Sequence, residues 1–255
     1  MIVIPMAGLS SRFSNAGFKL PKYMLEAHGL TLFEHSVLSF KHFFKSEKFL
    51  FICLNTHETV EFIHEKVNLL GISDYEIACL EMPTSGQAET VFLGLKKSEV
   101  DYNERIFIFN IDTFRPGFQL PKNFDVEKVD GYLETFLGSG SNWSNVVPSS
   151  LENFRVAMTA EKKELSKFCC TGLYMWKNSH LYFKAYQKLK NTPLSELDGK
   201  EHYIAPMYNY LIQAGGNVRF SVIDTSQVIF CGVPDEYNEF LLKDYRYESN
   251  LSKER

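Results

Sequence analysis

The chain has 255 residues, 45% hydrophobic and 15% aromatic, enough apolar material to bury a core in one large α/β domain or two small ones. Its formal net charge is −4, so bulk electrostatics points neither to nucleic acid nor to an anionic membrane, and an anionic substrate must be met by a local cluster of cations. Five cysteines without a CxxC pair, most of them inside apolar runs, read as buried free thiols in a reducing compartment. No apolar run approaches the ~20 residues of a membrane span. The N-terminal run lacks the flanks of a secretion signal, and a cytoplasmic protein is expected.

Residues 1–25, MIVIPMAGLSSRFSNAGFKLPKYML, begin with an apolar run that stops at Gly8 and gives way to small polar residues and cations. The pattern predicts a first strand delivering a phosphate-binding loop. Ala7, Gly8, Ser10 and Ser11 let backbone N–H groups approach phosphate oxygens, and Arg12, Lys19 and Lys22 supply countercharge for a polyphosphate. An ordinary strand-turn-helix with solvated lysines fits the same stretch, because short motifs match by chance. Pro21 stiffens the backbone ahead of Lys22. Thr31 and Glu34 have the capping-box spacing of a helix start.

A buried strand is expected over 49–54, an amphipathic helix over 58–70 closed by Gly71, and a third strand over 75–80. The loop MPTSGQAET leads into a helix over 88–97. A strand over 105–110 then ends in Ile111-Asp112-Thr113. Strands alternating with helices predict an α/β fold with a Rossmann-like, mixed and mainly parallel sheet and helices on both faces. Ligands of such sheets lie at the carboxyl ends of the strands, which brings residues 8–22, the 83–89 loop and Asp112 to one edge.

A strand over 131–136 is followed by the Gly/Ser-rich loop GSGSNWSNVVP, whose Trp143 is expected in the core. Antiparallel strands over 153–158 and 168–176 are expected to cover the substrate. Helices over 178–190 and 202–214, strands over 217–224 and 227–231, and a helix from 234 complete the pattern. His28, His35, His42, His57 and His64 read as surface or half-buried. Without repeats or a linker-like stretch, residues 1–245 read as one domain, and 246–255 as a charged, frayed tail.

IPMAGLSSRF followed by PKYML resembles the signature loop of sugar-phosphate-type nucleotidyltransferases, which have a GT-A-like fold. The resemblance continues in order through SGQAET (85–90), NID (110–112), AEKK (160–163), CTGLYMW (170–176), EHYIAPMYN (201–209) and FCGVPDEY (230–237). It implies that an acceptor phosphate attacks the α-phosphorus of a nucleoside triphosphate and pyrophosphate leaves. By position, Met6, Ala7, Gly8, Leu9, Ser10 and Ser11 would wrap the triphosphate. Arg12 would neutralise the departing β- and γ-phosphates, and Lys22 would bridge the α-phosphate and the incoming phosphate. Ser85, Gly86 and Gln87 occupy the loop that reads the base, with Asn110 beside the nucleotide and Asp112 at the metal-ligand position. The implied metal is Mg²⁺, with Mn²⁺ as a substitute. Lys162, Thr171, Gly172 and Glu201 fall on the acceptor side, and Glu161 is placed to orient Lys162.

One departure concerns the metal. Many relatives carry an Asp immediately before the late glycine, whereas here Cys231 precedes Gly232, and a hard cation does not choose a thiol. Asp224, Glu201 or Asp235 supplies the second ligand, or the metal rests on Asp112 and phosphates alone. Within the family the chain is most similar to the capsule-biosynthesis branch. That likeness implies CMP transfer from CTP to a small phosphorylated acceptor such as L-glutamine phosphate, giving CDP-L-glutamine, and leaves room for a homo-oligomer. A sugar-1-phosphate nucleotidyltransferase of another base specificity, or a non-catalytic nucleotide-binding module, is the alternative.

Overall fold

The computed structural model describes residues 1–197 and 201–243; the expected tail, 246–255, and the domain end at 245 lie outside the described residues. Strand β1 (Ile2–Pro5) is buried throughout, and its side chains alternate between two cores, Val3 into one and Ile2 and Ile4 into the other. The loop after it leads into a short helix, α1 (Ser11–Asn15), and a small hairpin, β2 (Glu26–Ala27) and β3 (Leu30–Thr31). Helix α2 (Leu32–Val37) starts at the capping box of Thr31 and Glu34. Strand β4 (Phe49–Leu54), helix α3 (Thr59–Leu70), strand β5 (Tyr75–Leu80), helix α4 (Gln87–Lys97) and strand β6 (Ile106–Phe109) then alternate as expected.

The second half comprises β7 (Thr113–Phe114), β8 (Gly131–Leu137), β9 (Ser144–Ser150), β10 (Arg155–Glu161), β11 (Phe168–Trp176), α5 (Ser179–Lys190), α6 (Tyr208–Gln213), β12 (Val218–Ile223), β13 (Ile229–Phe230) and α7 (Pro234–Leu242). Nine strands form one sheet in the order β5-β4-β1-β6-β11-β8-β12-β10-β9. β5, β4, β1 and β6 pair in parallel, β11 runs antiparallel to β6 and β8, and β12 returns parallel to β8. The fold is thus a mixed α/β sheet with helices on both faces.

Val91 and Leu95 of α4, Tyr182 and Tyr186 of α5 and Leu211 of α6 pack on one face against Val3, Leu50 and Ile52. Phe33 and Val37 of α2 and Ile63 and Val67 of α3 pack on the other against Ile2, Ile4, Phe49 and Phe51. Full burial of each such side chain contributes about 1.5–3 kcal/mol, so the two faces together fix the sheet. A third cluster, including Phe13, Leu32, Phe114, Cys231 and Phe240, ties α1 and α7 beneath the first loop. None of the described helices is long and apolar enough to cross a membrane.

Four local expectations change. The Gly/Ser-rich loop ends at Trp143, because Ser144 to Ser150 find partners along β10. The expected helix over 202–214 shortens to a 3-10 turn, Ala205–Met207, and α6; the backbone of His202 is engaged instead by the 85–88 loop, donating to Ser85 and accepting from Ala88. The strand over 227–231 contracts to β13, since Asp224 caps a turn over Thr225–Gln227. His35 is fully buried rather than near the surface, its Nε2–H donating to the Ala27 carbonyl at 2.8 Å and its ring packed on Phe114 and Phe240.

Candidate active site

Two cavities, about 640 and 450 Å³, open at the carboxyl edge of the sheet and share Gln87, Asn110 and Asp112 as a common wall. The loop after β1 forms one side of the larger cavity, with Met6, Ala7, Gly8, Leu9 and Ser11 lining it. Ser10 turns the chain in the left-handed region at φ 51° and accepts a hydrogen bond on its hydroxyl from the Lys22 N–H at 3.2 Å. That bond fastens the loop to the Pro21–Lys22 corner. Lys22 Nζ then reaches Asp112 Oδ2 at 2.5 Å, both groups about one-fifth exposed.

Asp112 stands just past the end of β6, after Asn110 and Ile111. Its carbonyl accepts from the Cys231 N–H at 2.8 Å, and this bond draws the 230–236 segment against it. Asn110, two residues earlier, accepts from Gln87 Nε2 at 2.5 Å and packs against Gly172, where a Cβ would lie 2.5 Å from Nδ2. The Gln87 amide therefore stands at the junction of the two cavities. Gly86, at φ 144°, leaves no room for a Cβ, which would lie 2.7 Å from the His202 backbone N and O.

The smaller cavity gathers Lys162, Thr171 and Gly172, and also Arg12 and Trp143. Arg12 is exposed and lines this cavity rather than the larger one. Trp143 forms wall instead of core, its ring 4.6 Å from Phe230 and 5.1 Å from Phe136. Lys162 holds a left-handed φ of 52°, donates to the Tyr203 hydroxyl and lies over the Tyr203 ring at 4.7 Å. Burial works against its ammonium, but the Tyr203 hydrogen bond and the charges of Glu201 and Glu161 outweigh it and hold the pKa above the usual lysine value. Glu161 is 4% exposed and accepts from the Ser144 hydroxyl.

Of the candidate second ligands, Glu201 lines the larger cavity and not the smaller one that holds Lys162, Thr171 and Gly172. Asp224 is spent as a cap, accepting from the Ser226 N–H and hydroxyl at 2.8 and 2.6 Å, and neither it nor the exposed Asp235 lines either cavity. The carboxylate that does stand near Asp112 is Glu236, which sequence reasoning missed. A Cβ built on Gly232 would lie 3.1 Å from Asp112 Oδ2 and 3.5 Å from Glu236 Oε2, so both oxygens border one small space beside the glycine. Burial, with the nearby Asp112 charge, raises the Glu236 pKa above the usual carboxylate value. The overlooked signal was Glu three residues after Val233, the spacing that turns an acidic side chain back over a helix start. Cys231 is fully buried, and burial beside Glu236 and Asp112 pushes its thiol far up.

Hard carboxylate oxygens beside a polyphosphate-sized cavity suit Mg²⁺, which takes one or two carboxylates and completes its shell with phosphate oxygens and water. Among the described residues, no three His, Cys, Asp or Glu side chains gather into a larger metal cluster.

A nucleotidyltransferase-like sheet with a small-residue loop, a strand-end carboxylate and a lysine meeting between two cavities defines the class of protein. The sequence matches no family model, and no curated protein matches it. Among solved structures, the nucleoside-diphosphate-sugar pyrophosphorylase from Vibrio cholerae RC9 is 51% identical, with a TM-score of 0.90 over 95% of this chain and 100% of that one. The chain belongs to the nucleoside-diphosphate-sugar pyrophosphorylases and is an enzyme of the nucleotidyltransferase type. More distant structures share the fold. The inositol-1-phosphate CTP transferase from T. maritima is 15% identical, with a TM-score of 0.73 over 94% of each chain. A UDP-glucose pyrophosphorylase from Acinetobacter baumannii is 15% identical, with a TM-score of 0.66 over 94% of this chain and 91% of that one.

Proposed function

We propose that this enzyme transfers CMP from CTP to a small phosphorylated acceptor with release of pyrophosphate. L-glutamine phosphate is the leading acceptor, which makes the chain a CTP:phosphoglutamine cytidylyltransferase of capsule modification. The observation that carries the reaction type is the meeting of the two cavities at Asp112, to which Lys22 on the wall of the larger cavity is paired at 2.5 Å. CTP occupies the larger cavity, with the 6–11 backbone against its triphosphate and the 83–87 loop toward its base. The acceptor occupies the smaller one, its phosphate against Lys162.

An acceptor phosphate oxygen forms a bond to the α-phosphorus as the bond to the β-phosphate oxygen breaks, and pyrophosphate carries away the leaving charge. Such transfers ask the protein mainly for positioning and countercharge. Lys22, paired to Asp112 on the wall of the larger cavity, bridges the two reacting phosphates, and Lys162 holds the acceptor in line. Arg12, which lines the acceptor cavity, supplies countercharge on that side. Asp112 is the residue that would hold Mg²⁺, which supplies countercharge to the phosphate oxygens when bound. The described residues are read as one domain that acts in the cytoplasm.

A sugar 1-phosphate as acceptor is the second reading. The observation favouring it is the 51% identity to the nucleoside-diphosphate-sugar pyrophosphorylase from Vibrio cholerae RC9, and the buried Glu161 carboxylate on the acceptor wall suits a hydroxyl donor. Pyrophosphate release measured with each nucleoside triphosphate, Mg²⁺ and a panel of L-glutamine phosphate and sugar 1-phosphates separates the two. Turnover with CTP and L-glutamine phosphate is expected, and release only with a sugar 1-phosphate replaces the leading reading by the second.

A further inference from the structure

We infer that Glu236 completes the divalent-cation site with Asp112, in place of a carboxylate at position 231, and that residue 232 is glycine because a side chain would fill the space between the two carboxylates. The inference rests on the reading of Asp112 as a metal-holding residue and names the partner which that reading lacks. Asp112 Oδ2 and Glu236 Oε2 both lie within 3.5 Å of the point where a Gly232 Cβ would sit. A methyl there would contact both oxygens, whereas the glycine leaves the space open.

The Glu236 carboxylate is held in place by the chain around it. Its Oε2 accepts from the N–H groups of Gly232 at 2.7 Å and Val233 at 3.2 Å, so the group is fixed at the wall of the acceptor cavity, which Asp112 also lines. The Lys22 ammonium, 2.5 Å from Asp112 Oδ2, marks the place as one that takes positive charge. Two carboxylates against one lysine leave negative charge for a hard cation, and one or two carboxylates with phosphate oxygens is the set that Mg²⁺ prefers. Cys231, buried and packed among Phe13, Phe114 and Phe240, stands apart from this as core.

The test is Mn²⁺ retention, read from the electron paramagnetic resonance of free Mn²⁺ during titration of the protein with CTP and no acceptor, against CTP and Mn²⁺ alone. Wild type and Cys231→Ser are expected to hold one Mn²⁺ with similar affinity. Glu236→Gln, whose amide oxygen still accepts the two backbone N–H bonds, should keep its thermal midpoint yet hold Mn²⁺ at least ~10-fold more weakly, and Gly232→Ala should weaken it too. Wild-type affinity in Glu236→Gln, or no protein-dependent retention in wild type, overturns the inference. Asp112→Asn separates the two levels: loss there with none in Glu236→Gln removes this inference alone, and no loss in either removes the Asp112 reading with it.

Discussion

Lys22 and Asp112 are held together across 90 residues of sequence at 2.5 Å, each presented by a different strand-end loop. Asp112 lines both cavities, and Lys22, on the wall of the larger one, is paired to it; under the proposed function the lysine serves the reacting phosphates and the carboxylate a cation. Lys22→Ala is expected to lower kcat at least ~100-fold, the scale of one lost transition-state contact, while CTP affinity, measured by calorimetry, changes much less. A near-wild-type kcat would remove Lys22 from the chemistry. Both residues were legible in the sequence because Asp112 comes just past an apolar strand, where an α/β sheet places its ligand, and Lys22 closes the cation-bearing stretch after the first strand, next to the stiffening Pro21. Arg12 and Glu201 were legible as residue types but not as positions: the bend at Ser10 and the clasp at His202 decide which cavity each one lines, and neither shows in a local pattern. Glu236 was missed for a related reason. Its carboxylate returns to Asp112 only because a helix start folds it back over Gly232.

Two loops joined by main-chain bonds carry the site between the cavities. The 85–88 segment and His202 exchange two backbone hydrogen bonds, at 2.9 and 2.8 Å, and Gly86 permits this by a φ of 144° and by having no Cβ where the His202 backbone lies. Gly86→Ala forces that contact apart. CTP binding is therefore expected to weaken at least ~10-fold with the sheet intact by circular dichroism, and unchanged affinity would show that the clasp does not shape the nucleotide loop. The main strands of the first half were readable from apolar runs between turn residues, β1 and β4 being buried on both faces. β9 and the shortened α6 were not, because a polar strand such as SNVVPSS forms only when β10 offers it a register, and the 202–207 backbone takes its shape from a loop more than 100 residues away.

On the scale of the whole molecule, the third core cluster holds the first loop, the hairpin and α7 together, and His35 is fully buried beside it. Burial lowers its pKa below the ordinary value of 6.5, against the pull of the Ala27 carbonyl. The unfolded chain therefore takes up this proton first as pH falls. Stability is full above about pH 6.5 and declines as pH drops from there toward the lower folded-state pKa. Urea unfolding at stepwise pH should show this decline in wild type and a flatter profile in His35→Gln between about pH 6.5 and 5; equal slopes would mean that His35 is not the group concerned. The central claim, that this fold joins a nucleotide to a phosphorylated acceptor through its α-phosphorus, is tested most directly by the product. Incubation with CTP, Mg²⁺ and L-glutamine phosphate, followed by ³¹P NMR, should show free pyrophosphate and two coupled phosphorus resonances of a new phosphoanhydride joining CMP to the acceptor, in equal amounts. Bound CTP with no pyrophosphate and no new phosphoanhydride, for this acceptor and for the sugar 1-phosphates alike, would contradict it.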